Sequence, residues 1–180
     1  MRLHLPSSPL HDETIVVRLP KPSDVDALVR FGDDEDVRET IWVPIPTPCS
    51  RAVAEARVAE FRRGWQGEND SGPALIVADA GTDEMIGIVF LRMREHESVE
   101  LSYGVAAARR NAGVATAAVS LVSRWCLDEQ RSAQVELRIG QPNLASQHVA
   151  ESAGFSRAGS VRSHIAATGE DYDDLLFTLR

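Results

Sequence analysis

The chain has 180 residues, 43% of them hydrophobic, and a formal net charge of −8 at pH 7. That length buries a core without disulfides or metal, and the acidic balance argues against generic nucleic-acid binding, which depends on basic surface. No apolar stretch approaches the roughly eighteen residues of a membrane span, and Pro6, Pro9 and His11 interrupt the place of a secretion signal. Cys49 and Cys126 stand at no metal-ligand or redox spacing, so a reducing cytoplasm is expected, with Cys126 a buried, inert thiol.

Periodicity and breakers divide the chain into an N-terminal extension, 1–13, and a single domain, 14–180. Residues 14–19 read as a strand and 23–33 as a helix capped by Ser23, with Asp26 in its first turn. An acidic cluster, Asp33-Asp34-Glu35-Asp36, follows. The prolines of Trp42-Val43-Pro44-Ile45-Pro46-Thr47-Pro48 bar regular helix and fix an extended path, which either joins two helices or uses Trp42 as a pocket wall. A helix at 50–65, capped by Ser50, precedes strands at 73–79 and 84–93, joined by the short hairpin Gly81-Thr82-Asp83. A strand at 97–105, a helix near 113–128, a strand at 133–139, a helix at 143–153 and strands at 155–163 and 171–179 complete the order. Trp65 and Trp125 fall on apolar helical faces and read as core. A second acidic cluster, Glu170 to Asp174, adjoins the last strand. This order predicts one mixed sheet with helices on both faces.

The strand at 97–105 places Val99, Leu101, Tyr103 and Val105 on one face and Glu100, Ser102 and Gly104 on the other. Gly104, near its end, marks a bulge or a close approach by another backbone or a ligand. The loop Arg110-Asn111-Ala112-Gly113-Val114-Ala115 then opens the next helix. Small residues there let an anion reach the first free N–H groups, the helix dipole favours negative charge, and Arg110 adds a cation.

These residues carry a resemblance. The run from Glu100-Leu101-Ser102-Tyr103 through Arg110-Asn111-Ala112-Gly113-Val114-Ala115-Thr116 resembles the acetyl-CoA-binding segment of the GNAT N-acetyltransferase superfamily, and Asn143-Leu144-Ala145-Ser146 leading to Gly154-Phe155 is similar to its Asn-x-x-Ser helix ending in Gly-Phe. Ile15 to Leu19, Pro22 to Asp26 and Tyr172 to Phe177 extend the likeness, nearest to the branch that acetylates ribosomal-protein N-termini. The chain departs from the family with Ala107 for Pro, Asn111 for Gly, Ala117 for Glu and Ser152 for Lys.

The resemblance implies the GNAT fold, α/β (α+β), with a mostly antiparallel mixed sheet of about seven strands. It implies acetyl-CoA as cosubstrate, with no metal, and a pyrophosphate on the N–H groups of residues 110–115, pantetheine adding to the strand end at Val105, and Asn143 capping its helix and reaching the pantetheine amide. Glu100 is the candidate proton acceptor and Ser146 the hydroxyl near the leaving sulfur, with His148 and His164 as rival bases. Trp42 and Asp173 are candidates for holding the acceptor, a protein N-terminus or an amine-bearing small molecule such as a polyamine or aminoglycoside. The net charge and acidic clusters favour a cationic acceptor. A non-catalytic acetyl-CoA sensor is the other class of reading. Neither nucleic acid nor membrane is an expected partner, and related enzymes are monomers or homodimers.

Overall fold

A computed structural model describes residues 3–34, 48–66, 73–165 and 170–180. Trp42, Glu35 and Asp36 lie outside these residues, as does the side chain of His164. The first helix, α1 (Val25–Gly32), follows strands β1 (Leu10–His11) and β2 (Ile15–Arg18), and α2 spans Arg51–Gly64. Then come β3 (Ala74–Asp79), β4 (Met85–Met93), β5 (Ser98–Val105), α3 (Val114–Asp128), β6 (Gln134–Gly140), α4 (Leu144–Ser152), β7 (Ser156–Ile165) and β8 (Glu170–Leu179). The strands form one sheet in the order β1-β2-β3-β4-β5-β6-β8-β7. Only the β5–β6 ladder is parallel.

Strand alternation explains the layers. Leu75, Val77, Val89, Val99, Leu101, Val135 and Leu137 pack with Val114, Ala118, Val122 and Trp125 of α3 on one face. Ala74, Ile76, Ile88 and Phe90 pack with Leu28 and Phe31 of α1 and Val58 and Phe61 of α2 on the other. Trp65 and Trp125 are both buried, in edge contact at 6.0 Å. The segment before residue 14 also belongs to the sheet through β1, and Leu3 is buried in the first cluster.

Two local details differ from expectation. Ser23 does not cap α1: it sits in a short 3-10 turn, Pro22–Asp24, and Asp24 takes the position before the helix. The Asp24 carboxylate is held by the buried Arg18 and by the Lys21 N–H instead of by the helix. Gly104 sits at no bulge. A Cβ there would lie 2.8 Å from the ring of Phe31, so the missing side chain makes room for α1. Ser50 caps α2 as expected, accepting from the Val53 N–H.

Candidate active site

The parallel ladder between β5 and β6 is short. Ser98 to Leu101 pair with Gln134 to Leu137, and beyond these both strands run on without pairing to each other, to Val105 and Gly140. The two strands splay and leave a cleft inside the sheet. Ala106 N–H donates to Ile86 C=O, so antiparallel alternation gives Gly104 and Ser102 the bonds to β4. The main-chain groups of Tyr103 and Val105 therefore point away from β4, into the cleft.

One mouth of the cleft is built by the loop before α3. Asn111 and Gly113 both have positive φ, +59° and +76°, which turns successive N–H groups to one side. The first α3 bond runs from Ala117 N–H to Gly113 C=O, and Gly113 has no side chain to cap the turn. The N–H groups of Val114, Ala115 and Thr116 thus have no acceptor within the helix. Beyond its own neighbours along the chain, no atom of the described residues lies within 4 Å of the place a Gly113 Cβ would take, so a phosphate has room to approach. The loop is tied down from behind: Arg109 pairs with Asp79 at 2.6 Å, and Arg110 pairs with Asp34 at 2.9 Å and donates to the Val105 carbonyl. The Arg109 guanidinium holds the Asp79 carboxyl below the usual range. Arg110 here serves the loop's shape, with its charge shared by Asp34.

A cavity of about 590 Å³ runs from this loop along α4, lined by Val105, Arg110, Asn111, Gly113, Val114 and Ala115 among others. Ala112 lies in the same loop and is exposed. A second cavity, of about 310 Å³, opens on the far side between β5, β6 and β7. Tyr103, Asn143 and Ser146 line both cavities. Asn143 caps α4, its Oδ1 accepting from the Ser146 N–H at 3.0 Å, which fixes where Ser146 stands. The exposed His148 lines only the loop-side cavity.

Tyr103 is the residue that strand alternation alone hides. It was expected on an apolar face, yet its hydroxyl is buried at the junction and meets no partner at hydrogen-bond geometry among the described residues. Burial pushes its phenol up, while neighbouring Ser146 pulls the other way.

Glu100 lines the second cavity and is 8% exposed. Its Oε2 accepts from Arg94 Nε at 2.7 Å. Arg138 Nε stands 2.9 Å from the same oxygen, with its N–H not aimed at it. Two guanidiniums thus fix the carboxylate through Oε2.

Two neighbours of the second acidic cluster take opposite faces of β8. Asp173 is exposed on β8, whereas Asp174 is buried and bonded by Ser163 Oγ at 2.7 Å. One residue along a strand reverses the face. Burial pushes the Asp174 carboxyl up; Ser163 and Arg138 oppose the shift, and Glu100 adds to it. Among the described residues, no group of three or more His, Cys, Asp or Glu is placed to hold a metal, and no helix is long and apolar enough to cross a membrane.

Residues 14–156 match the family model of the acetyltransferase (GNAT) domain. The chain belongs to the GNAT acetyltransferase family. No curated protein matches it in sequence. Among solved structures, it is similar to the ribosomal-protein-S5-alanine acetyltransferase of Vibrio fischeri, with 17% identity, 96% of each chain covered and a TM-score of 0.77. It also resembles Mycobacterium smegmatis RimJ in complex with CoA-disulfide, with 19% identity, 96% of this chain and 85% of that chain covered, and a TM-score of 0.73. A spermidine N-acetyltransferase chimera, of Vibrio cholerae and hSSAT, shares 16% identity over 92% of this chain and 94% of its own, with a TM-score of 0.68. At such identities the likeness is one of fold, and the expected mixed sheet with helices on both faces is the fold observed. The eighth strand is the two-residue β1.

Proposed function

We propose that this GNAT acetyltransferase domain uses acetyl-CoA to acetylate a primary amine, foremost the α-amine of a protein N-terminus, in the cytoplasm. The observation that carries the reading is the sharing of Tyr103, Asn143 and Ser146 between the loop-side cavity and the β5–β6–β7 cavity. Two substrates entering from opposite mouths would meet at those residues.

Acetyl-CoA would supply a thioester whose carbonyl carbon the amine attacks. The fit rests on the uncapped N–H groups of α3, on the space beside Gly113 and on the outward main chain of Tyr103 and Val105. Residues 110–115 hold the pyrophosphate, and the Val105 N–H lies where a polarised carbonyl oxygen needs a donor. Asn143 orients Ser146. Ser146 and Tyr103, both hydroxyls, supply a proton at the junction, and Glu100 Oε1 accepts one from the amine directly or through water. An α-amine, with a reference pKa of about 7.7 to 8.0, loses its proton far more readily than lysine at about 10.4, which suits a site with one carboxylate on the cavity wall. A sensor without turnover would have no use for Glu100 and Ser146 lining the same cavity.

The test is thiol release from acetyl-CoA against a panel of N-terminal peptides and small amines. Amine-dependent thiol release is expected, and acetyl-CoA binding without it for any amine would overturn the reading.

A further inference from the structure

The proposed acceptor site has the opposite charge to the protein. The chain carries −8, yet Arg92, Arg94, Arg138 and Arg162 line the β5–β6–β7 cavity with Glu100 as the one carboxylate among its lining residues. We propose that the amine acceptor itself carries a carboxylate, close to the reacting nitrogen, that docks on these arginines. The proposal rests on the acetyltransferase reading and replaces a cationic acceptor with an anionic one.

The local balance of charge supports it. Arg94 and Arg138 share one oxygen of Glu100, so one negative charge answers two positive ones. Arg162 stands 3.5 Å from Asp171, and both side chains are largely in water, 69% and 46% exposed, where such a pair contributes little. Arg92 is the Cα partner of Glu100 across the β4–β5 ladder, so its side chain leaves the same face of the sheet. It is exposed and makes no ion pair among the described residues. Asp174 is buried behind the wall, where Ser163 Oγ bonds it, and is not among the cavity's lining residues.

The described side chains of the acidic clusters include two that are already engaged. Asp34 is bound to Arg110 on the cofactor side, and Asp171 already faces Arg162. A polyamine entering here would bring like charges against guanidiniums, whereas a carboxylate would meet their planar forks, the geometry that arginine binds best. A neighbouring cavity of about 600 Å³ shares Arg94 and Arg138 and adds Arg180, but Glu95 and Glu136 line it too, so the excess of positive charge belongs to the β5–β6–β7 cavity.

The test compares acceptors that differ in carboxylate charge: the tetrapeptide amides Ala-Glu-Ala-Ala and Ala-Gln-Ala-Ala, which differ by one charge, free glutamate and glutamine amide, which differ by two, and spermidine. Thiol release gives kcat/KM for each, and calorimetry on protein saturated with CoA gives binding of the same molecules. The acid-bearing member of each pair is expected to lead by about tenfold. That ratio should shrink as salt rises, fall toward one in Arg92→Gln and drop below one in Arg92→Glu, with Arg92→Lys retaining part of it. Leading rates on free glutamate would make the source a small amino acid; leading rates on the peptide would make it a protein N-terminus. Spermidine or the neutral peptide turned over as fast as the acid, or a ratio unmoved in both Arg92→Glu and Arg162→Glu, overturns the carboxylate site alone. Acid-selective binding with no turnover overturns the acetyltransferase reading and leaves the carboxylate site standing.

Discussion

Gly140 faces Asp174 across the β6–β8 ladder, and a Cβ on Gly140 would stand 4.0 Å from Asp174 Oδ1. The contact is an ordinary one, so neither sterics nor a positive φ demands glycine there. What the missing side chain does is leave the buried carboxylate next to the acceptor cavity, which Gly140 lines. Gly140→Ala is therefore expected to fold with stability unchanged or raised by about 0.4 to 1 kcal/mol, while acceptor KM rises and acetyl-CoA affinity holds. Thermal melts and two-substrate kinetics check both halves; an unchanged KM would separate Asp174 from the acceptor.

Asp174 also makes a prediction about pH. Its carboxyl is raised from the ordinary 3.8 chiefly by burial, so the folded protein binds a proton more tightly there than the unfolded chain. Its effect on stability is most favourable below the unfolded value and is lost as pH rises through the folded one. Asp174→Asn keeps the shape and removes the titration. Relative to wild type, the variant should gain stability steadily from about pH 3 upward and then level off. Urea unfolding at a series of pH values reads this directly, and a difference that shrinks with rising pH would show the opposite shift.

Tyr103→Phe separates chemistry from packing. The phenol oxygen is buried without a partner at hydrogen-bond geometry, so its removal should leave stability level or higher. If the hydroxyl supplies a proton, kcat should fall by about 10²-fold or more with acetyl-CoA affinity little changed. A loss of stability with normal turnover would make Tyr103 a structural residue.

Gly113→Val tests the loop. Its φ of +76° strains any β-branched residue by about 1 to 3 kcal/mol, and the new methyls would enter the open space beside the α3 N–H groups. Calorimetry should show acetyl-CoA affinity reduced by tenfold or more, beyond what a stability loss in a folded protein explains. Wild-type affinity would move the phosphate elsewhere.

Both cysteines are buried, and burial alone pushes the Cys126 thiol up to about 12. The reactive species is the thiolate, so a chromogenic disulfide should find Cys126 inert in the native protein and reactive in denaturant. Fast labelling of native Cys126 would contradict its place on the buried face of α3.

The elements were legible in the sequence because each long strand alternates against one core and each helix turns one stripe to the sheet. The two-residue β1 carries too short a pattern to read. Asn111 and Gly113 were legible as a loop because residues that tolerate positive φ stand just before a helix. Tyr103 was not legible as a junction residue: alternation tells which face a side chain takes and is silent about two neighbouring strands parting. Arg92 and Arg138 come from different strands, and the ladder register gathers them on one face with Glu100, whereas Arg162, the partner of Asp173, leaves β7 on the other face and reaches the cavity from the sheet edge. Asp173 and Asp174 look alike in a run of acids, and the choice between surface and interior is a matter of one step along β8.

The four ladder pairs between β5 and β6 also bear on endurance. Past them, the Val105 carbonyl is taken by Arg110, and the remaining outward main-chain groups of Tyr103 and Val105 are left to solvent or to whatever lies in the seam, so a molecule bound there acts as a piece of the sheet. Mass action then ties the protein's stability to that occupant. At a hundredfold excess over Kd the gain is about 2.7 kcal/mol. If acetyl-CoA is the occupant, as proposed, the protein is expected to melt higher in its presence and to open more readily without it.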